Sequence, residues 1–140
     1  MTTDAVERFM NLYRNASELA PEAIAEVYSP GIVFVDPIHR IEGIDALQKY
    51  LNVMYGNVHS CQFEYHDQIV EEHKASIKWN MRFRHRKLAR GQEIEVRGAT
   101  FIEYGDRVLL HEDFFDVGSM MYEHVPVLGA GIRYLKRRIS

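Results

Sequence analysis

The chain has 140 residues, 46% of them apolar, and a formal charge of -3 with histidine neutral. This length suits one domain with a substantial core, and the weak negative charge argues against a general nucleic-acid binder. The single cysteine, Cys61, excludes an internal disulfide and a cysteine metal cluster and fits a reducing, cytoplasmic setting.

Residues 4–20 read as a helix, because Val6, Phe9, Met10, Tyr13, Ala16 and Ala20 recur at helical spacing. The same N-terminal stretch lacks a basic start followed by an apolar run, so no secretion signal is expected. Pro21 opens a second, short helix with Ile24, Val27 and Tyr28 inward, and Ser29-Pro30-Gly31 is expected to stop it. Residues 32–36 are apolar and β-branched enough for a strand, which Pro37 ends. A loop runs to Gly43, and residues 44–55 form a third helix with Leu47, Tyr50, Leu51 and Met54 on its inner face.

Beyond this helix the chain reads mostly as strands, with candidates at 58–72, 75–86, 92–104 and 107–117. The second is clearest, since Ile77, Trp79, Met81 and Phe83 alternate with Lys78, Asn80, Arg82 and Arg84. In the third, Ile94, Val96, Thr100 and Ile102 share a side, and Gly105-Asp106 makes a hairpin turn into the fourth. The tail, 118–140, is expected to be helical in two pieces broken near Pro126 and Gly129 to Gly131. No stretch approaches the ~20 apolar residues of a membrane span. The basic end of the tail, with Arg133, Lys136, Arg137 and Arg138, is expected to dock on its own domain rather than on a membrane.

The order predicts an α+β domain, with a curved antiparallel sheet wrapped around N-terminal helices and a concavity between them. Two passages sharpen this. Ala25 to Pro37, continuing through Glu42 to Leu47, resembles the helix, strand, Asp-Pro, loop, Gly and helix passage of ketosteroid isomerases and SnoaL-like polyketide cyclases. Asp106-Arg107-Val108, with His111-Glu112-Asp113-Phe114-Phe115-Asp116, resembles the last strand of SnoaL-like proteins and limonene epoxide hydrolases. The resemblance covers residues 4–117 and implies the cone-shaped, nuclear-transport-factor-2-like fold, with a C-terminal helix outside it. It also implies a homodimer with a pocket for a small apolar molecule; no nucleotide loop, metal motif or flavin fingerprint is visible, so no cofactor is expected.

By that resemblance Asp36 occupies the place of the isomerase general base. A carboxylate among Phe34, Val35 and Ile38 is expected to be partly desolvated, with a raised pKa. An Asp before Pro also starts turns through its own side chain. The isomerase oxyanion donors are incomplete: Tyr13 approximates the tyrosine, but the position of the second Asp falls on Gly98. The epoxide hydrolase relay is incomplete too. Asp113 matches one Asp, whereas the Arg-x-Asp of the middle strand falls on Lys78-Trp79-Asn80, and Asn80 has no acidic proton. The likeness nevertheless favours Lys78 and Asn80 facing the pocket.

His111 and Asp113 lie two apart on one strand and so face the same way, placing an imidazole beside a carboxylate. They resemble the His-x-Asp of SnoaL-like cyclases. Asp116 falls on the other face. His39, in the loop after Asp36, is placed at the pocket mouth. No metal-ligand spacing occurs. The catalytic candidates are therefore Asp36, His111 and Asp113, with Tyr13, His39, Lys78 and Asn80 as substrate-binding candidates. They point to acid–base chemistry of an isomerase, cyclase, dehydratase or hydrolase type. The alternative is a binding or sensing domain without catalysis.

Overall fold

A computed structural model describes residues 2–14, 19–56, 58–85, 91–120 and 137–139. Its elements are α1 (Thr2–Arg14), α2 (Pro21–Val27), β1 (Tyr28–Val35), β2 (Arg40–Glu42), α3 (Ile44–Gly56), β3 (Val58–Val70), β4 (Lys74–His85), β5 (Ile94–Tyr104), β6 (Val108–Phe115) and α4 (Val117–Met120).

The apolar stripe of α1 is its buried face: Ala5, Val6, Phe9, Met10 and Tyr13 are nearly inaccessible. Leu19 and Ala20, expected to extend this helix, lie outside it. Pro21 accounts for Ala20, because proline drives the residue before it out of the helical region; Ala20 sits at φ -71°, ψ 144°. The break expected at Ser29-Pro30-Gly31 is instead part of β1, which begins directly after α2. An irregularity between Tyr28 and Val33 in the pairing with β6 absorbs Pro30, which has no N–H to give.

Six strands form one sheet in the order β2-β1-β6-β5-β4-β3. The expected antiparallel meander holds for β3 to β6. The short strand β2 was expected as loop, and β1 lies parallel to β6, pairing Phe34 with His111. This pairing brings the Asp36 end of β1 beside the His111–Asp113 end of β6. On β4, Ala75, Ile77, Trp79 and Phe83 are buried while Lys78, Arg82 and Arg84 are exposed. The sheet closes over α1 and α3 with that apolar set inward. Of the tail, α4 and a helical stretch at 137–139 are described; Pro126, Gly129 to Gly131, Arg133 and Lys136 lie outside the described residues. Among the described residues no helix is long and apolar enough to cross a membrane.

Candidate active site

The inner face of the sheet, α1 and the end of α3 enclose a cavity of about 40 Å³. That is room for one or two water molecules. Its walls are Phe9 and Tyr13 from α1, Leu51, Met54 and Tyr55 from α3, Phe63 and Tyr65 from β3, and Trp79 and Met81 from β4. Asp36, Phe34, Thr100, His111, Asp113 and Phe115 complete it. Asp36, His111 and Asp113 thus meet at one space, as does Tyr13.

Period-two geometry explains how β5 and β6 contribute. Thr100 and Asp113 are register partners, and His111 lies one same-face step before Asp113. His111 is 2% exposed. Its ring packs 4.6 Å from Phe34 and 5.1 Å from Phe9, and stacks on Tyr28 at 5.8 Å. Both ring nitrogens are engaged: Nδ1 lies 2.7 Å from the Tyr28 hydroxyl and Nε2 2.7 Å from Asp113 Oδ1. The Tyr28 hydroxyl is 2.6 Å from that of Tyr13. On the other side Trp79 Nε1 donates to Thr100 Oγ1 at 2.8 Å, and Thr100 donates to Asp113 Oδ1 at 2.6 Å.

Counting donors orders the network. Indole can only donate, which fixes Thr100 as donor to Asp113. A neutral imidazole protonated at Nε2 accepts from Tyr28 and donates to Asp113, and Tyr13 donates to Tyr28. Every hydrogen is then used, and both branches end on Asp113 Oδ1. Burial keeps Tyr13 and Tyr28 protonated by pushing both pKa values far up. Asp113 Oδ2 accepts no hydrogen bond from any described residue, and Asp113 keeps 18% side-chain exposure at the cavity. Tyr28→Phe removes the donor to His111 Nδ1 and is expected to cost about 1–3 kcal/mol, the price of an unsatisfied buried polar atom. Urea denaturation checks this, and a loss below ~0.5 kcal/mol contradicts the relay.

Asp36 is set differently. Its Oδ1 accepts from the amides of Ile38 (2.9 Å) and His39 (2.7 Å) and lies 3.2 Å from His39 Nδ1. Tyr50 donates to its Oδ2. The expected pKa rise is overturned: burial pushes it up, but the Tyr50 hydroxyl, the two amides and His39 outweigh this and hold it below the usual value. The carboxylate is anchored to its own turn, and His39 serves that anchor at 45% side-chain exposure.

The lowered pKa couples this carboxylate to stability. The folded pKa lies below the unfolded one, so the charged group stabilises the fold above about pH 4, and that contribution fades as pH falls through the folded value. Asp36→Asn is expected to lose less stability than the wild type between about pH 6 and pH 3. Urea midpoints at the two pH values measure it, and equal losses contradict the anchoring.

Lys78 and Asn80, expected to face the pocket, do not. Both lie on the outer face of β4, with Asn80 donating to Glu95 at 3.2 Å. Placing Lys78 inward would bury an ammonium in an apolar core, whereas turning Trp79 inward buries a large apolar ring. On the same strand Arg82 is paired with Glu64 and Glu95, and residues 86–90 beyond it lie outside the described residues. Asp116, expected on the other face, borders an outer depression with Glu95 and Arg97.

Sequence reading missed Tyr28 and Tyr50 as hydrogen-bond partners, and Thr100 as the link from Trp79 to Asp113. Thr100 carried a signal, being a polar residue in an otherwise apolar alternation. It also missed Tyr55 and Tyr65, whose hydroxyls bond to no other described residue. Burial raises the pKa values of both phenols, so both remain proton donors. Among the described residues, no group of three or more His, Cys, Asp or Glu is placed to hold a metal ion.

Residues 6–111 match the family model of the SnoaL-like domain. The chain belongs to the SnoaL-like domain family. A search of curated proteins finds no match. Among solved structures, a candidate SnoaL-like polyketide cyclase from Jannaschia sp. CCS1 superposes with TM-score 0.75 at 17% identity, over 86% of this chain and 90% of that one. The LEH-like epoxide hydrolase of M. tuberculosis gives 0.67 at 20% identity, over 84% and 79%. An NTF2-like protein of unknown function from Exiguobacterium sp. 255-15 gives 0.66 at 16% identity, over 81% and 98%. At these identities the likeness establishes the SnoaL-like, NTF2-like fold and leaves the chemistry to the site itself. The family match ends at His111, so Asp113 lies two residues beyond it.

Proposed function

We propose that this SnoaL-like protein is a cofactor-independent enzyme that moves a proton on a small, apolar, oxygen-bearing molecule, with Asp113 taking and returning that proton. One observation carries the reading. Two hydrogen-bond branches converge on Asp113 Oδ1 and leave Oδ2 without a donor among the described residues, at the wall of an aromatic cavity. A general base needs a fixed orientation and one open lone pair. His111 has neither ring nitrogen to spare, so it positions Asp113 rather than meeting the substrate. Asp36 is stabilised as an anion by its own loop, and both its oxygens already accept hydrogen bonds.

For a ketone, Oδ2 takes a proton from the carbon beside the carbonyl, and the C–H electron pair passes to the carbonyl oxygen as an enolate. The neutral phenols of Tyr55 and Tyr65 are the available donors to that oxygen. The proton then returns to carbon. Isomerisation, cyclisation and dehydration share this first step. Room for such a molecule requires Met54 and Met81, the most adaptable wall residues, to turn aside.

The test uses 2-tetralone in deuterium oxide, following loss of the proton signals beside its carbonyl by NMR. The wild type is expected to exchange them at least ~100-fold faster than buffer, the usual scale of positioned acid–base catalysis. Exchange at the buffer rate contradicts the proposal. If 2-tetralone binds tightly without exchange, the non-catalytic binding reading takes its place.

A further inference from the structure

The electrostatic character of the cavity has no match in the proton-transfer step alone. Among the described residues its lining includes two carboxylates, Asp36 and Asp113, and no Lys or Arg. Lys78 points to the outer face, and Arg14, which lies 5.7 Å from the centre of the Tyr65 ring, is exposed and outside the lining. Among the described residues Asp113 is bonded by His111 and Thr100, and Asp36 by His39, Tyr50 and two amides, so the two imidazoles are the only potential cations beside these carboxylates. Two carboxylates on one apolar space repel an anion and leave a negative potential that a neutral guest does not relieve. The remaining walls are aromatic faces and thioethers, the surroundings that favour an organic cation.

We infer that the ligand of this cavity carries a protonated amine on an aromatic or alicyclic frame, held by the fixed negative charge of Asp36 and by the surrounding ring faces. The inference rests on the cavity of the proposed function and divides the labour of its carboxylates. Asp36 is tied to its turn by Ile38, His39 and Tyr50, so it serves as a stationary charge. Asp113 keeps its open oxygen for the proton. A cation paired with Asp36 and faced by rings such as Phe34 and Tyr55 gains charge pairing and cation–π attraction together. A carboxylate or phosphate ester on the same frame gains neither.

Three probes on one frame, 2-aminotetralin, 2-tetralol and tetralin-2-carboxylate, separate these cases by calorimetric titration near pH 7. The amine is expected to bind at least ~10-fold tighter than the alcohol, and the carboxylate weakest of the three. Asp36→Asn keeps an acceptor oxygen for the Ile38 and His39 amides, so the turn persists while the charge is lost. In that variant the amine is expected to fall to the affinity of the alcohol. Alcohol binding as tightly as amine, carboxylate binding best, or an amine preference that survives Asp36→Asn each overturns the inference. An intact amine preference with no exchange of 2-tetralone sinks the proton-transfer reading alone, and the reverse pattern sinks this one alone.

Discussion

Asp113→Asn is expected to bring proton exchange in 2-tetralone down to the buffer rate, a loss of at least ~100-fold, within the range for loss of a positioned general base. The fold should persist, because the asparagine oxygen still accepts from His111 Nε2 and Thr100 Oγ1, the two donors that now meet on Oδ1. Asparagine places an amide where the open oxygen stands, and an amide takes no proton near neutral pH. The loss should fall on kcat, with little change in KM, since an interaction realised only in the transition state is removed. Steady-state exchange rates measured by NMR at several 2-tetralone concentrations separate the two constants. A variant that keeps a tenth or more of the wild-type rate would show that the proton moves elsewhere, with Asp36 the next carboxylate on the same cavity.

Gly98→Ala should give the largest stability loss of any glycine-to-alanine change among the described residues. A Cβ built at Gly98 would stand 2.4 Å from Trp79 Cη2, 2.6 Å from its Cζ2 and 2.8 Å from the Phe114 carbonyl oxygen. Gly98 and Trp79 are register partners, and the indole lies across the glycine. The indole must leave, because the Phe114 oxygen belongs to the neighbouring strand and cannot yield alone. Overpacking of this kind costs about 1–3 kcal/mol, and the lost bond from Trp79 to Thr100 adds about 1 kcal/mol. For a chain of this size the sum corresponds to a Tm lower by roughly 10 °C. Trp79 is the sole tryptophan, so its emission should shift to the red as the ring meets water. An unchanged Tm and spectrum would contradict the assigned seat. The position that the isomerase likeness marks as a missing acid therefore has a positive role, holding the ring that steadies Thr100 and, through it, Asp113.

The parts of this architecture that follow local periodicity were legible in the sequence. The stripe on α1 and the alternation on β4 and β5 reappear as buried faces, because burial of apolar side chains fixes which residues share a side. Parity yields two sets on β4 without saying which faces the cavity. Analogy with an epoxide hydrolase chose Lys78 and Asn80, whereas the cost of burying an ammonium chose Trp79. The parallel pairing of β1 with β6 was not legible, since it joins segments far apart in the chain; Tyr28 and His111 are 83 positions apart. Without that pairing, Tyr28 reads as one more core tyrosine. Asp36 shows a different limit. Its Asp-Pro context signalled a turn, and counting donors in that turn would have argued for a lowered pKa. Desolvation alone argued for a raised one, and the donors outweigh it.

A crystal structure of the protein with 2-tetralone bound tests the assignment of Asp113 most directly. The ketone is expected inside the aromatic cavity, with a carbon beside its carbonyl about 3–3.5 Å from Asp113 Oδ2, the separation from which proton transfer proceeds. A ketone seated on the outer face of the sheet, or in the cavity with those carbons turned away from Asp113, would contradict it.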